Sequence, residues 1–323
     1  MKLHCIPILS ALFTSLVCFS NPATKISDNS PSSGIVIRWN DCEQTIDGFG
    51  IAQAGWAKEL FAFKNRKQVM DKMFGNDGLR LNILRGEIFP HYWENKEDKD
   101  FNLNDDINIE LCDSDFNNKS DDLLRRGQLW LTLEAKNKYH INKLVFSTWS
   151  APAWMKSNGK VSNGKLKPEC YQDFANHRAA FYKAYKSKGI TPYAISPSNE
   201  PGYAAPWNSS LWTADEMGKF ITSNLGPTFQ KENIPAKIIF GENPLWSVVM
   251  PQLKMVSSKD FTDTILQDYP EIKKFNLIAA GHGYSLSPDI MPIKVDKEYL
   301  KTPIIPFDAA EKAHIPVWIT EIS

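Results

Sequence analysis

The chain has 323 residues, with 37 basic and 37 acidic side chains and a formal net charge of zero. That balance excludes a global electrostatic pull toward nucleic acid or anionic membrane surfaces. The length suits one large domain or two ordinary ones, and 42% hydrophobic content can fill a core.

Residues 1–20, MKLHCIPILSALFTSLVCFS, place Lys2 before a mostly apolar run and end on the small residue Ser20. This is a signal-peptide pattern and predicts a secreted protein, periplasmic or extracellular. The run is short and interrupted by Pro7, so no stable membrane insertion is expected once the leader is removed. Residues 21–33 are rich in Ser, Asn and Pro and predict a flexible linker. Beyond the leader the cysteines are Cys42, Cys112 and Cys170, an odd and widely spaced set. It matches neither a disulfide framework nor a zinc site.

After a short apolar stretch at 35–39, two periods alternate. Short apolar runs bounded by turn residues occur at 45–51, 79–84, 143–149, 191–196, 237–241, 276–280 and 316–320, the lengths of buried strands. Between them lie helical patterns at 65–74, 121–139 and 168–188, the last followed by Gly189 as a stop. Thr213 with Glu216 three residues on is a capping box opening a helix toward 230. Weaker helical patterns occur near 258–268 and 307–313. Repeated strand–helix alternation predicts an α/β fold with a parallel sheet, either doubly wound or a closed (β/α)8 barrel. No Gly-x-Gly-x-x-Gly follows the first strand and no Walker pattern occurs, which weakens an open nucleotide-binding sheet and a nucleotide-dependent oxidoreductase.

In a barrel the C-terminal strand ends share one mouth. Here those ends carry Asp47-Gly48-Phe49-Gly50, Arg85-Gly86-Glu87, a turn from Trp149 to Lys156, Asn199-Glu200, Glu242-Asn243, His282-Gly283-Tyr284 and Glu321. Gly48 and Gly50 read as residues of backbone conformation. Glu200 after the fourth strand and Glu321 on the seventh would face each other. Glycoside cleavage needs two carboxyls flanking one bond: an acid to protonate the departing oxygen and a nucleophile for the anomeric carbon, about 5–5.5 Å apart when stereochemistry is retained. Such chemistry requires no metal and no organic cofactor. Glu87 and Glu242 are rival strand-end carboxylates and rank below this pair.

The motifs QTIDGFGIAQAGWAKEL, STWSAPAWMKSNG, ISPSNEP, HGY and VWITE together resemble glycoside hydrolase family 30, from about residue 35 to 323. The family includes glucosylceramidases, xylanases and β-1,6-glucanases. The resemblance implies Glu200 as acid/base and Glu321 as nucleophile, with Asn199 on the sugar 2-hydroxyl. By the same resemblance Arg85 and Tyr284 orient Glu321, while Trp149 and His282 line the mouth. Trp154 reads as a packing residue. Trp207 and Trp212, in the loop after Glu200, are candidates for a further sugar platform, and His91-Tyr92-Trp93 is a candidate substrate-selecting loop. The expected partner is a β-linked glycan or glycoside, with a polysaccharide favoured over a lipid.

The family's barrel has eight strands and a β-sandwich side domain, whereas seven strand candidates are found here. The expectation is therefore a TIM barrel lacking its last βα unit (45–323), preceded by a remnant side-domain strand (34–44), in a C-terminally truncated form. The alternative is a noncatalytic carbohydrate-binding remnant with the same mouth.

Overall fold

The computed structural model describes residues 38, 40, 41, 44–53, 56–93, 95–97, 127–247, 256–284 and 305–322. The predicted leader and linker lie outside the described residues, as do all but Arg38 of the apolar stretch 35–39, together with Cys42 and Cys112. The chain divides into two compact units, Met1–Ile46 and Asp47–Ser323. In the first, exposed Arg38 pairs with Asp41 at 3.3 Å.

The second unit is a barrel of parallel strands in sequence order. The strands are β1 (Gly50–Ala52), β2 (Ile83–Glu87), β3 (Lys143–Ser147), β4 (Ala194–Ser196), β5 (Lys237–Gly241), β6 (Leu277–His282) and β7 (Val317–Glu321). Each pairs with its sequence neighbour, as the crossover rule for βα units demands. The helices between them are α1 (Ala57–Ala62), α2 (Arg66–Phe74), α3 (Gln128–Tyr139), α4 (Tyr171–Ser187), α5 (Ala214–Phe220), α6 (Gly226–Lys231), α7 (Ser258–Asp268) and α8 (Asp308–Lys312). This is a (β/α)8 barrel without its last βα unit among the described residues.

Alternation along each strand sorts its side chains between barrel interior and helix layer. Leu144 and Phe146, with Ile238 and Phe240, pack toward the helices. Val145, Ala194, Ile239, Ile278 and Ala280 form a small separate core inside the barrel. Below that layer, Asp47 accepts a 3.0 Å bond from Trp318 Nε1 and pairs with Lys143 at 3.2 Å, tying the β1 end to β3 and β7. The polar layer above it is the mouth. The outer strands are less covered: Phe49 and Ile319 are exposed, whereas β3 to β6 are almost wholly buried.

Some boundaries differ from the sequence expectation. The first strand begins at Gly50 rather than 45, and the second at Ile83 rather than 79. Leu79 and Leu81 spend their N–H groups on the Lys72 and Met73 carbonyls, so they close α2 instead of joining the sheet. The pattern at 121–139 yields a helix from Gln128, and 121–126 lie outside the described residues. The capping box at Thr213 and Glu216 is present in both directions, 3.1 and 2.8 Å. Its helix widens to a π-turn at Ile221–Leu225. Pro227, two residues after the π-turn, has no N–H for a regular helical bond, which accounts for the change in pitch.

Candidate active site

Arg85, from the interior face of β2, is buried at the centre of the mouth and lies over the Trp149 ring at 4.7 Å. Its Nη1 donates to Glu321 Oε2 at 2.7 Å, and its Nη2 donates to Asn199 Oδ1 at 2.6 Å. Tyr284 donates its hydroxyl to the other Glu321 oxygen. The nucleophile candidate is therefore held at both oxygens, by Arg85 from β2 and by Tyr284 from the segment just after β6, as charge-assisted bonds to a carboxylate should be.

Glu200 stands beyond β4 on a turn fixed by main-chain bonds. Asn199 N donates to Thr148 O at 2.7 Å, and Glu200 N donates to Glu242 O at 3.0 Å. Glu200 adopts φ 47° and Glu242 φ 49°, a left-handed conformation uncommon for residues with a side chain. Gly241, at φ 103°, precedes that second turn; a Cβ there would lie 2.2 Å from the Ala280 carbonyl oxygen. His282 Nδ1 meets Glu200 Oε1 at 3.2 Å. A register shift between Gly281 and His282 sets His282 opposite Glu321, the way a bulge re-aims side chains beside a site. One carboxylate oxygen of Glu200, one ring nitrogen of His282 and one carboxylate oxygen of Glu321 lie within 4.8 Å of one another. A cation among these three would sit next to the Arg85 guanidinium, so the set fits a carboxylate pair better than a metal cage.

Burial opposes the Glu321 charge, but Arg85, His282 and the Tyr284 hydroxyl outweigh it and hold this carboxyl below its usual range. Arg85 is pulled down by burial and, more strongly, up by Glu242 and Glu321, and stays charged. Burial, then the bond and charge of Glu321, push the Tyr284 hydroxyl up, so it remains a donor.

The structure thus brings Glu200, Glu321, Asn199, Arg85, Trp149, His282 and Tyr284 to one mouth. Trp207 stands apart on the following loop, 44% exposed and edge-on to Tyr203 at 6.1 Å. Three readings need correction. Trp212 is no platform: it is 5% exposed and packed against Tyr171, Phe174 and Phe220. His91 and Tyr92 do not form an open selecting loop; they are buried in an aromatic cluster with Phe89, and Tyr92 also stacks on Phe181. Trp93 packs edge-on against Trp154, whose Nε1 donates to the Trp93 carbonyl oxygen. Glu242 is not a lesser rival but a buried member of the Arg85 network, at 3.3 Å from Nη2. Glu87, the other rival, ends β2 with its main-chain N–H and carbonyl both held by Gln128.

Lys156, unremarked in sequence, is wholly buried. Its Nζ donates to Ser209 O at 2.6 Å and to Ser150 Oγ at 3.2 Å, and burial lowers its pKa to about 8. It ties the loop carrying Trp149 to the loop carrying Trp207. Its only sequence signal is a lysine inside a run of small and aromatic residues.

Comparison with known proteins gives this geometry a context. The chain is 30% identical over 251 residues to putative glucosylceramidase 3 of Caenorhabditis elegans, covering 75% of this chain and 45% of the relative. It is 28% identical over 237 residues to an endo-1,6-beta-D-glucanase of Neurospora crassa, covering 68% of this chain and 45% of that one. The chain therefore spans less than half the length of these relatives. Among solved structures, the endo-beta1,6-glucanase BT3312 superposes with a TM-score of 0.64 at 21% identity, over 88% of this chain and 59% of the other; this likeness bears on the fold. The model of the glycosyl hydrolase family 30 TIM-barrel domain matches residues 46–274, well over half of the sequence, and the chain belongs to that family.

Proposed function

We infer that this chain carries the catalytic centre of a secreted retaining β-glycoside hydrolase, with Glu321 as nucleophile and Glu200 as acid/base. The observation that carries the reading is that one oxygen of Glu200 and one of Glu321 lie within 4.8 Å of each other. This is a short gap of the kind found between the carboxyl groups of retaining pairs, roughly 5–5.5 Å, rather than the ~6.5–9.5 Å that leaves room for a water in inverting ones. Glu321, ionised and steadied by Arg85 and Tyr284, attacks the anomeric carbon. Glu200 gives its proton to the departing oxygen as that bond breaks. A water then enters, Glu200 takes its proton, and the oxygen displaces Glu321 from the same carbon. Two inversions leave the configuration unchanged.

Asn199 spends its Oδ1 on Arg85. That leaves its amide N–H groups for an acceptor such as the sugar 2-hydroxyl oxygen. His282, bonded to Glu200, steadies the acid/base. Trp149, held against Arg85, walls the glycone position, and Trp207 is exposed where a further sugar unit would lie. The relatives' names, glucosylceramidase, endo-1,6-beta-D-glucanase and glucuronoxylanase, point to a β-linked glycan or glycolipid as the substrate class.

The test is hydrolysis of nitrophenyl β-glucoside, nitrophenyl β-xyloside and β-1,6-glucan, followed by NMR of the first-formed anomer. Retained β product is expected. A first-formed α product overturns the mechanism. Glycan binding without turnover favours the noncatalytic alternative.

A further inference from the structure

Beyond β5, Glu242 and Asn243 are both fully buried, out of reach of any substrate, yet each touches the site. The Glu242 main-chain oxygen accepts the Glu200 N–H at 3.0 Å. Its carboxylate receives Arg85 Nη2 at 3.3 Å and Ser147 Oγ at 2.7 Å. Asn243 Oδ1 accepts the Gly202 N–H at 2.7 Å, two residues past Glu200, and its main-chain oxygen accepts the His282 N–H at 3.0 Å. A buried charge is costly unless paired, and a left-handed non-glycine residue is strained, so both features at one position call for a function.

We propose that Glu242 is the positioning residue of this site. Its main chain anchors Glu200, and its carboxylate shares the Arg85 charge with Glu321, setting how basic the nucleophile is. The proposal rests on the hydrolase reading above. Arg85 is one cation between two carboxylates; were Glu242 neutral, the whole guanidinium charge would act on Glu321. The groups facing Glu321 are Arg85 from β2, Glu200 beyond β4, Glu242 beyond β5, and His282 and Tyr284 from the end of β6. Of these, Glu242 is the buried negative charge that substrate does not meet. It is held ionised against burial by Arg85, His282 and the Ser196 and Ser147 hydroxyls.

Glu242→Gln keeps the main-chain bond and the side-chain shape while removing the charge. Removing a negative neighbour lowers the Glu321 pKa, so the acidic limb of the rate profile moves to lower pH as the nucleophile weakens. The reporter is covalent labelling by 2,4-dinitrophenyl 2-deoxy-2-fluoro-β-glucoside, or its β-xyloside counterpart, read by peptide mass spectrometry from pH 4 to 8. The wild-type chain should be labelled on Glu321. In Glu242→Gln the labelling rate on the pH-independent plateau should fall, because the less basic Glu321 is a weaker nucleophile. The limb should move to lower pH, with the inactivator concentration for half-maximal rate little changed.

An unmoved limb with wild-type-like folding by circular dichroism overturns the proposal and leaves the hydrolase reading intact. An unlabelled wild-type chain removes the hydrolase reading instead. Carbon-13 NMR titration of the Glu321 carboxyl in both proteins then still decides the charge-sharing claim, which fails if the two curves coincide. Should Glu242→Gln not fold, Ser147→Ala removes one of the donors that keep Glu242 ionised. Glu242 then takes up a proton more readily at the acidic limb, and the limb should move in the same direction by less; no movement there also overturns the proposal.

Discussion

Arg85 Nη1 lies 2.7 Å from Glu321 Oε2, although the two residues stand 236 positions apart. The bond joins β2 to β7 across the barrel mouth, and the same guanidinium reaches Asn199 and Glu242 with its other nitrogen. Arg85→Lys should therefore act as a severe change. A lysine ammonium is a point charge that cannot span these partners in the plane of a fork. Activity on an aryl β-glycoside should fall about 100-fold or more. Stability should fall by about 3 kcal/mol, because a buried carboxylate is left poorly paired. Steady-state kinetics and urea unfolding check the two parts separately.

The two glutamates should differ in kind. Glu321→Ala should abolish turnover and leave a small space on one face of the sugar. Azide entering that space restores cleavage of an activated aryl glycoside and yields a glycosyl azide of inverted configuration, since only one displacement occurs. Glu200→Gln should instead slow poor leaving groups far more than activated ones, because only the former need the proton. Equal slowing of both across a series of aryl leaving groups would count against Glu200 as the acid.

Tyr284→Phe should move the acidic limb of the rate profile to higher pH. Burial raises the Glu321 pKa, whereas the Arg85 and His282 charges and the Tyr284 hydroxyl lower it; removing the hydroxyl removes one of the lowering groups. The direction is opposite to that for Glu242→Gln, so the pair tests the electrostatic account with opposed signs. The same logic applies to stability. Glu321 and Glu242 are both depressed in the fold. Their stabilisation is present above the ordinary glutamate range, near pH 4.5, and is lost as pH falls through their folded values. Thermal unfolding from pH 7 down to pH 3 reads that loss, and it should be smaller in Glu242→Gln, which has one fewer such carboxylate.

Much of the barrel was legible because its strands are short apolar runs buried on both sides, each closed by turn residues. The run 237–241 coincides with β5, whereas 79–84 misplaces β2, because the apolar Leu79 and Leu81 serve a helix end as readily as a strand. The meeting of Glu200 with Glu321 could be anticipated because a barrel sends every strand end to one mouth. The part played by Glu242 was not legible. Nothing in the order of residues says that one arginine will be divided between two carboxylates. Nor does a loop sequence reveal whether an aromatic ring will turn outward to solvent or inward between helices.

Trp207 and Trp212 make that last distinction measurable. They lie five positions apart in one loop, yet Trp207 is 44% exposed and Trp212 is wedged among Tyr171, Phe174 and Phe220. Trp212→Ala should cost about 3–5 kcal/mol of stability through the cavity it leaves, with residual activity tracking the folded fraction. Trp207→Ala should leave unfolding within about 0.5 kcal/mol of wild type, as surface changes usually do. Its cost should fall on KM for longer oligosaccharides, while kcat/KM for a simple aryl glycoside stays unchanged, because a stacking face matters only to a substrate long enough to reach it. Measuring both constants against chain length from two to six sugars, alongside urea unfolding of each variant, separates the two tryptophans. If Trp207→Ala leaves the chain-length dependence unchanged, that ring is no platform.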